Sequence, residues 1–292
     1  MNYKEFYGLK NDYMFHAVLQ ECPPALADLI SALMGIPRNE TIDCRVENPL
    51  VFGSNVNAKD IALDVCVLLN NSTRIDVELQ VENQKIWTER TLLYWCRVYD
   101  RLKAGEYYDK LIRTYHIGLL NFTLDPEDPE FYSEYRITNL RNGKEYSDKL
   151  VLRNLDLTRP ELAGESEQER RLHDWVMLFG ANTLEEFQSL AKGNEVFEKM
   201  AVTLATLNED EKIRMQCTAR QFYEWDLNSH YHEGLKEGQE IGEAIGREEK
   251  YRDVISIYRN EMHLSDSEII EKIKAKYSLD TELAIKLVSD SS

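Results

Sequence analysis

Lys59–Gln80 reads KDIALDVCVLLNNSTRIDVELQ and predicts two strands joined by a short polar turn. The second half alternates between polar and apolar residues, which is the period of a strand whose two faces differ. Asparagine, serine and threonine fill residues 70–73, and these residue types accept tight-turn geometry. A hairpin that folds about Asn71 places Asp64 and Glu78 directly opposite each other on one face.

Two opposed carboxylates predict either a metal site or an acidic surface. Opposed Cβ atoms in an antiparallel pair are about 4.5–5.5 Å apart. At that distance the charges repel unless a divalent cation lies between them or one carboxyl is protonated. A solvent-exposed acidic face is the alternative. The neighbours of Asp64 on the same face, Ala62, Cys66 and Leu68, argue against an exposed acidic face. An acid in such apolar surroundings usually has a partner.

An amphipathic helix is predicted over residues 86–103, directly after the second strand. Four side chains, spaced four, three and four residues apart, share one side of it: Arg90, Tyr94, Arg97 and Arg101. A second side is apolar: Leu92, Trp95, Val98, Tyr99 and Leu102. Cations beside paired carboxylates suit a phosphate backbone. Ion pairing with Glu82, Glu89 and Asp100 explains the same pattern equally well.

The remaining chain predicts helices around a buried strand. Residues 10–34 form two helices that break at a pair of prolines, with Asp12 as a candidate helix cap. Residues 115–124 are apolar enough for a central strand. Further strands are predicted at three places: 46–52, 131–137 and 149–157. From residue 166 onwards the pattern is helical.

Glycine recurs at every fourth position in the predicted C-terminal helix: Gly234, Gly238, Gly242 and Gly246. Each interior glycine costs a helix about 0.5–1 kcal/mol relative to alanine. The stripe therefore predicts either a frayed, weakly ordered tail or a face that allows another backbone to approach closely.

Charge and composition bound the class of protein. The net charge of −17 argues against nucleic acid, but residues 1–124 carry 13 Lys and Arg against 16 Asp and Glu, so the acidity lies mostly in the second half. Five cysteines without a CxxC pair predict reduced thiols. We find no apolar run of ~18 residues, as a membrane span needs, and no signal-peptide core. We therefore expect a cytoplasmic protein.

The order of these features resembles the Rpn-type recombination-promoting nucleases, transposase-like members of the PD-(D/E)XK nuclease superfamily. The resemblance covers about residues 9–250. Its motifs are NDYMF at 11–15, ALDV at 62–65, DVELQ at 76–80, Arg90 with Tyr94, LKAGEY at 102–107, the 115–122 strand and the glycine-spaced tail. It implies a restriction-endonuclease-like α/β fold, a mixed sheet flanked by helices, followed by an α-helical C-terminal region.

The resemblance also implies three regions and a metal site. Residues 1–158 would be the nuclease core, 159–232 a helical region packed on or beside it, and 233–292 a glycine-striped tail with a small helical appendage. Protein ligands of Mg²⁺, for which Mn²⁺ would substitute, are expected to be Asp64, Glu78, the backbone carbonyl of Leu79 and, in support, Asp12. Gln80 is the third expected catalytic residue, and it stands where the superfamily has a lysine. Phosphate contacts are expected from Arg90, Tyr94 and Arg97.

Three functions remain open at this stage. The first is a Mg²⁺-dependent DNA endonuclease that promotes recombination or mobile-element transfer, since water activated at the two carboxylates can attack a phosphodiester. The second is a catalytically weak or inactive nuclease fold that binds DNA or protein, because glutamine orients water but brings no positive charge. The third is an oligomeric interaction protein that uses the C-terminal tail, and a homodimer is compatible with the first function.

Overall fold

The computed structural model describes residues 5–41, 43–47, 50–51, 61–62, 65–82, 86–102 and 105–291. The chain divides into two compact units, Met1–Gln221 and Phe222–Ser292. Asp64 and most of the segment that precedes it lie outside the described residues. The three-part division expected from the sequence stays a prediction.

The described strands are β1 Cys44–Val46, β2 Leu50–Val51, β3 Ile61–Ala62, β4 Val65–Leu69, β5 Thr73–Gln80, β6 Arg113–Leu120, β7 Tyr132–Arg136 and β8 Leu150–Asp156. The α-helices are α1 Asp12–Glu21, α2 Pro23–Met34, α3 Trp87–Tyr99, α4 Glu167–Gly180, α5 Leu184–Ala191, α6 Glu195–Glu209, α7 Glu211–Asn260, α8 Asp266–Tyr277 and α9 Thr281–Asp290.

A mixed six-stranded sheet forms the centre of the first unit, in the order β1-β4-β5-β6-β8-β7. The strands β5, β6 and β8 run parallel to one another, and the other neighbours are antiparallel. Every residue of β6 except Arg113 is buried, which confirms the predicted central strand. The predicted mixed sheet with flanking helices and a helical C-terminal region is also confirmed.

The β4–β5 hairpin has the register that the alternation predicted. Val65 pairs with Val77 and Cys66 pairs with Asp76. The turn places both Asn70 and Asn71 at positive φ, 49° and 54°, a conformation that asparagine tolerates better than most residues. The pairing of Asp64 with Glu78 stays a prediction.

Helices cover both faces of the sheet. The apolar face of β5, with Ile75, Val77 and Leu79, belongs to the main core, to which α1, α2 and α4–α6 contribute. The helix α3 contacts β5, β6 and β8 instead, and Val98 packs on Cys66 on the other face. The polar face of β5 is therefore covered by α3.

Two local predictions are wrong. The predicted strand at 46–52 does not form as one element, since β1 ends at Val46 and Glu47 turns its carboxylate to Arg74 and Arg101. The cap of α1 is Asn11 rather than Asp12, because the Asn11 side chain accepts the Met14 N–H at 3.1 Å. Asp12 occupies the first helical position.

The second unit contains a small helical core formed by the end of α7 with α8 and α9. Its buried members are Ile255, Ile269, Ile273, Ala284 and Val288. The expectation of a frayed tail is wrong, because α7 continues as one helix through all four glycines. A Cβ at any of these glycines would meet no atom within 4 Å. Pairing of the stripe with another chain stays a prediction. No described helix is long and apolar enough to cross a membrane.

Candidate functional site

The acidic face of β5 is buried rather than solvated. Asp76 and Glu78 are 0% exposed and Gln80 is 8% exposed. The alternative of a solvent-exposed acidic surface is therefore wrong for these three residues. A buried carboxylate requires a charged or hydrogen-bonding partner, and each of the two acids has one.

Arg90 is the partner of Glu78 and of Gln80. Its Nη1 donates to Gln80 Oε1 at 2.6 Å, and its Nη2 donates to Glu78 Oε2 at 3.2 Å. The same guanidinium lies over the ring of Tyr94, 5.1 Å from its centroid. Gln80 is held at its other end, since Nε2 donates to the backbone carbonyl of Glu82 at 2.8 Å. The structure thus brings four predicted site residues together.

The helix α3 is rotated relative to the predicted apolar side. Its buried residues are Trp87, Thr91, Trp95 and Val98, whereas Leu92 is 46% exposed. The predicted extent to residue 103 is also wrong, because the helix ends at Tyr99 and Arg101 turns to Glu47 at 3.1 Å. Arg97 is half-buried, and its contact with phosphate stays a prediction.

A buried Asp–His pair lies beside Glu78. His116 Nδ1 is 2.7 Å from Asp76 Oδ2, and both side chains are essentially inaccessible. The His116 ring also contacts the rings of Trp87 and Tyr94, with centroids 5.9 and 6.4 Å apart. Sequence reasoning missed this pair, because the parallel register that joins β5 to β6 has no local signal. Through the ring contacts of His116, the Asp–His pair connects β5, which carries Glu78, to α3, which carries Arg90.

Charged groups continue along the same face towards β1. Glu47 accepts hydrogen bonds from Arg74 at 2.8 Å and from Arg101 at 3.1 Å. Burial alone would raise the pKa of Glu47, but Arg74 and Arg101 lower it below its ordinary value. Burial, reinforced by Asp76, raises the pKa of the Cys66 thiol to about 12. Cys66 is fully buried on this face, where it packs against Val98.

Gly118 allows α3 to approach the sheet. It lies between Glu78 and Asn154 in one row of the three parallel strands. The Trp87 ring occupies the space above it, and Trp87 Nε1 donates to Asn154 Oδ1 at 3.2 Å. A Cβ at this position would overlap the Trp87 ring and lie 2.8 Å from Asn154 Oδ1.

We expect Gly118→Ala to destabilise the first unit by about 1–3 kcal/mol, the usual cost of overpacking a filled interior. Urea unfolding followed by tryptophan fluorescence measures the change. Gly180→Ala is the matched control, because a Cβ on Gly180 meets nothing within 4 Å. Equal stability of the two variants would contradict the tight packing of Trp87 on β6.

Asp12 lies in a second polar contact, at the start of α1. Its carboxylate forms an ion pair with Arg220 of α7, and its side chain is 14% exposed. Among the described residues its Oδ1 atom is buried without a hydrogen-bond partner. The support of a metal site by Asp12 stays a prediction.

The chain matches the family model of the PD-(D/E)XK nuclease family transposases over residues 9–234, which is more than half of its length. The protein belongs to this family of nuclease-fold proteins. No significant match was found among curated proteins or among solved structures.

The family implies a divalent metal ion, and the donor types on β5 fit one. The Glu78 carboxylate and the Leu79 backbone carbonyl are oxygen donors, which Mg²⁺ prefers, and their role as ligands stays a prediction. Within the described ranges, no three His, Cys, Asp or Glu side chains are grouped to hold a metal. Asp64, the remaining expected ligand, lies outside those ranges. A cation at Glu78 has to compete with the Arg90 guanidinium.

Proposed function

We propose that the protein is a Mg²⁺-dependent DNA endonuclease that hydrolyses phosphodiester bonds, with Mn²⁺ as a substitute ion. The observation that carries the proposal is the buried Glu78–Gln80 pair held by Arg90, in a chain of the PD-(D/E)XK family. A fold selected for stability alone would fill this space with apolar side chains, because a buried ion pair is often no more stable than its hydrophobic replacement.

Each residue has a defined role in this proposal. Asp64, Glu78 and the Leu79 carbonyl hold the metal ion, which lowers the pKa of bound water when present. Gln80 positions the attacking water, and its amide is already fixed by its contacts at both ends. Arg90 stabilises the negative charge that develops on the phosphate.

The description of the family as nuclease family transposases supports a nuclease- or transposase-like role. Promotion of recombination or mobile-element transfer is the narrower proposal. DNA is the substrate that a phosphodiester-cleaving site of this kind acts on. A cytoplasmic location and a homodimer remain predictions from the sequence.

One contact favours a second function. Arg90 already neutralises Glu78, and Gln80 replaces the lysine of the superfamily pattern. Both features suit a nuclease fold that binds DNA and cuts it weakly or not at all.

Plasmid nicking separates the two functions. We expect the purified protein to convert supercoiled plasmid to the open-circular form with Mg²⁺ or Mn²⁺, and to lose this activity in EDTA. Asp64→Asn should lose it as well. Absence of nicking, together with no change in melting temperature at millimolar Mg²⁺, would favour the binding module instead.

A further inference from the structure

An ordered hairpin, residues 137–146, extends beyond the sheet between β7 and β8, and we call it the hairpin tip. The Tyr146 N–H donates to the Ile137 carbonyl at 2.9 Å, and the Asn139 N–H donates to the Lys144 carbonyl at 2.8 Å. The turn closes with the Gly143 N–H on the Asn139 carbonyl at 2.8 Å. Gly143 has φ 70°, which favours glycine there. The backbone of the tip is therefore held in one conformation.

The end of this tip presents an exposed apolar side chain followed in sequence by two exposed cations. Leu140 is 96% exposed, and Arg141 and Lys144, one and four residues after it, are exposed as well. A leucine so exposed on a fixed turn gains nothing from folding, because its surface stays in water. At the end of a fixed turn, this side chain is available to contact a partner.

The two cations have no acidic partner among the described residues. Glu145, the one acid within residues 137–146, is held by Arg136 at 3.1 Å, and Glu134 accepts from Arg136 and Arg153. No ion pair in the described part of the chain includes Arg141 or Lys144. A chain with net charge −17 thus exposes an unneutralised positive tip, which is complementary to an anionic partner.

We propose that the hairpin tip contacts duplex DNA, with Arg141 and Lys144 on phosphates and Leu140 as a wedge against a base step. Cations on phosphates position a protein on DNA, and apolar wedges such as leucine insert from the minor groove. The inference rests on the proposed nuclease function, which supplies DNA as the substrate. It adds a contact that the α3 residues do not provide, because the tip joins β7 and β8 rather than β5 and α3.

The test is binding of a labelled duplex in EDTA, so that cleavage plays no part. We expect Arg141→Gln with Lys144→Gln to weaken binding roughly tenfold and to reduce the slope of log K against log salt by about 1.8, or ~0.9 for each lost phosphate contact. The matched control neutralises two exposed lysines elsewhere in the first unit, Lys192→Gln with Lys212→Gln, and should leave both quantities unchanged.

Leu140→Ala tests the wedge separately. Duplexes that carry 2-aminopurine should brighten on binding the unmodified protein, because unstacking relieves quenching. The increase should fall in Leu140→Ala while the salt slope stays the same. An unchanged increase would overturn the wedge.

Three outcomes overturn the DNA contact. The first is no duplex binding by the unmodified protein, and the second is equal duplex binding by the tip and control variants. The third is a tip variant that binds duplex normally but loses binding to polyglutamate, which would indicate an acidic protein partner. Plasmid nicking keeps the two proposals apart. A protein that nicks, with tip variants that bind normally, contradicts only the tip. A protein that never nicks, with tip variants that lose duplex binding, contradicts only the nuclease.

Discussion

We expect Glu78→Gln to lower the turnover of metal-dependent nicking by about 100-fold or more relative to the unmodified protein. Losing even an outer-shell partner of a metal ligand typically costs 10–100-fold in metal affinity or activity, and Glu78 is proposed as a direct ligand. The substitution keeps the size of the side chain and an oxygen that still accepts from Arg90 Nη2. The fold should therefore remain intact while the negative charge is lost.

The measurement is the initial rate of plasmid nicking across a Mn²⁺ titration, with circular dichroism to establish that the variant is folded. Glu82→Gln is the control, because Glu82 follows β5 on the same strand face but is exposed. It should nick at the unmodified rate. If Glu78→Gln also nicks at that rate, Glu78 is not a metal ligand and its role is to pair with Arg90.

Local signals predicted the hairpin well and its surroundings poorly. Strict alternation and a turn that accepts positive φ fix the β4–β5 register, because a slip by one residue would reverse the two faces. Solvent exposure of the acidic face does not follow from these signals. It depends on α3 docking over β5 and β6, which Gly118 permits by leaving room for Trp87. That contact joins residues distant in sequence.

The helix that carries Arg90 shows the same limit. Spacing along α3 placed Arg90 and Tyr94 on one side, and the structure confirms that they are together. The sequence left the basic side of α3 open between phosphate contacts and ion pairs with acids nearby in sequence. The structure selects Glu78, twelve residues away. The apolar pattern predicted that Leu92 faces the sheet, whereas the structure buries Thr91 there. The pattern does not distinguish two helix rotations that differ by one residue.

Buried charges on this face are paired in every case that the described residues show. Asp76 is joined to His116, Glu78 to Arg90, and Glu47 to Arg74 and Arg101. Such pairs seldom add net stability, since desolvation offsets the attraction. Their concentration on one strand face beneath one helix is what a functional site requires, because reactive groups must be held in a fixed geometry.

Arg90→Ala should produce two effects of opposite sign. Nicking should fall about 100-fold, because the charge that forms on the phosphate loses its stabilising donor. Binding of the metal ion should strengthen, because a cation hydrogen-bonded to Glu78 Oε2 at 3.2 Å no longer competes for the carboxylate. A residue needed only for folding would weaken both.

Melting temperature separates these effects. Without metal, Glu78 of the variant stays buried but lacks the Arg90 guanidinium. We therefore expect the free energy of unfolding to fall by up to about 3–5 kcal/mol. Mg²⁺ then replaces the missing positive charge, so the rise in melting temperature on adding the ion should exceed that of the unmodified protein.

Arg97→Ala is the matched comparison, since it removes the same charge from α3 but leaves the observed Arg90 hydrogen bonds to Glu78 and Gln80 in place. Its metal-induced rise should equal that of the unmodified protein. Arg90→Lys should fall between the two, because lysine keeps the charge but cannot span both acceptors with one planar fork. An Arg90→Ala variant with an unchanged metal-induced rise would show that Arg90 and the metal ion do not compete for Glu78.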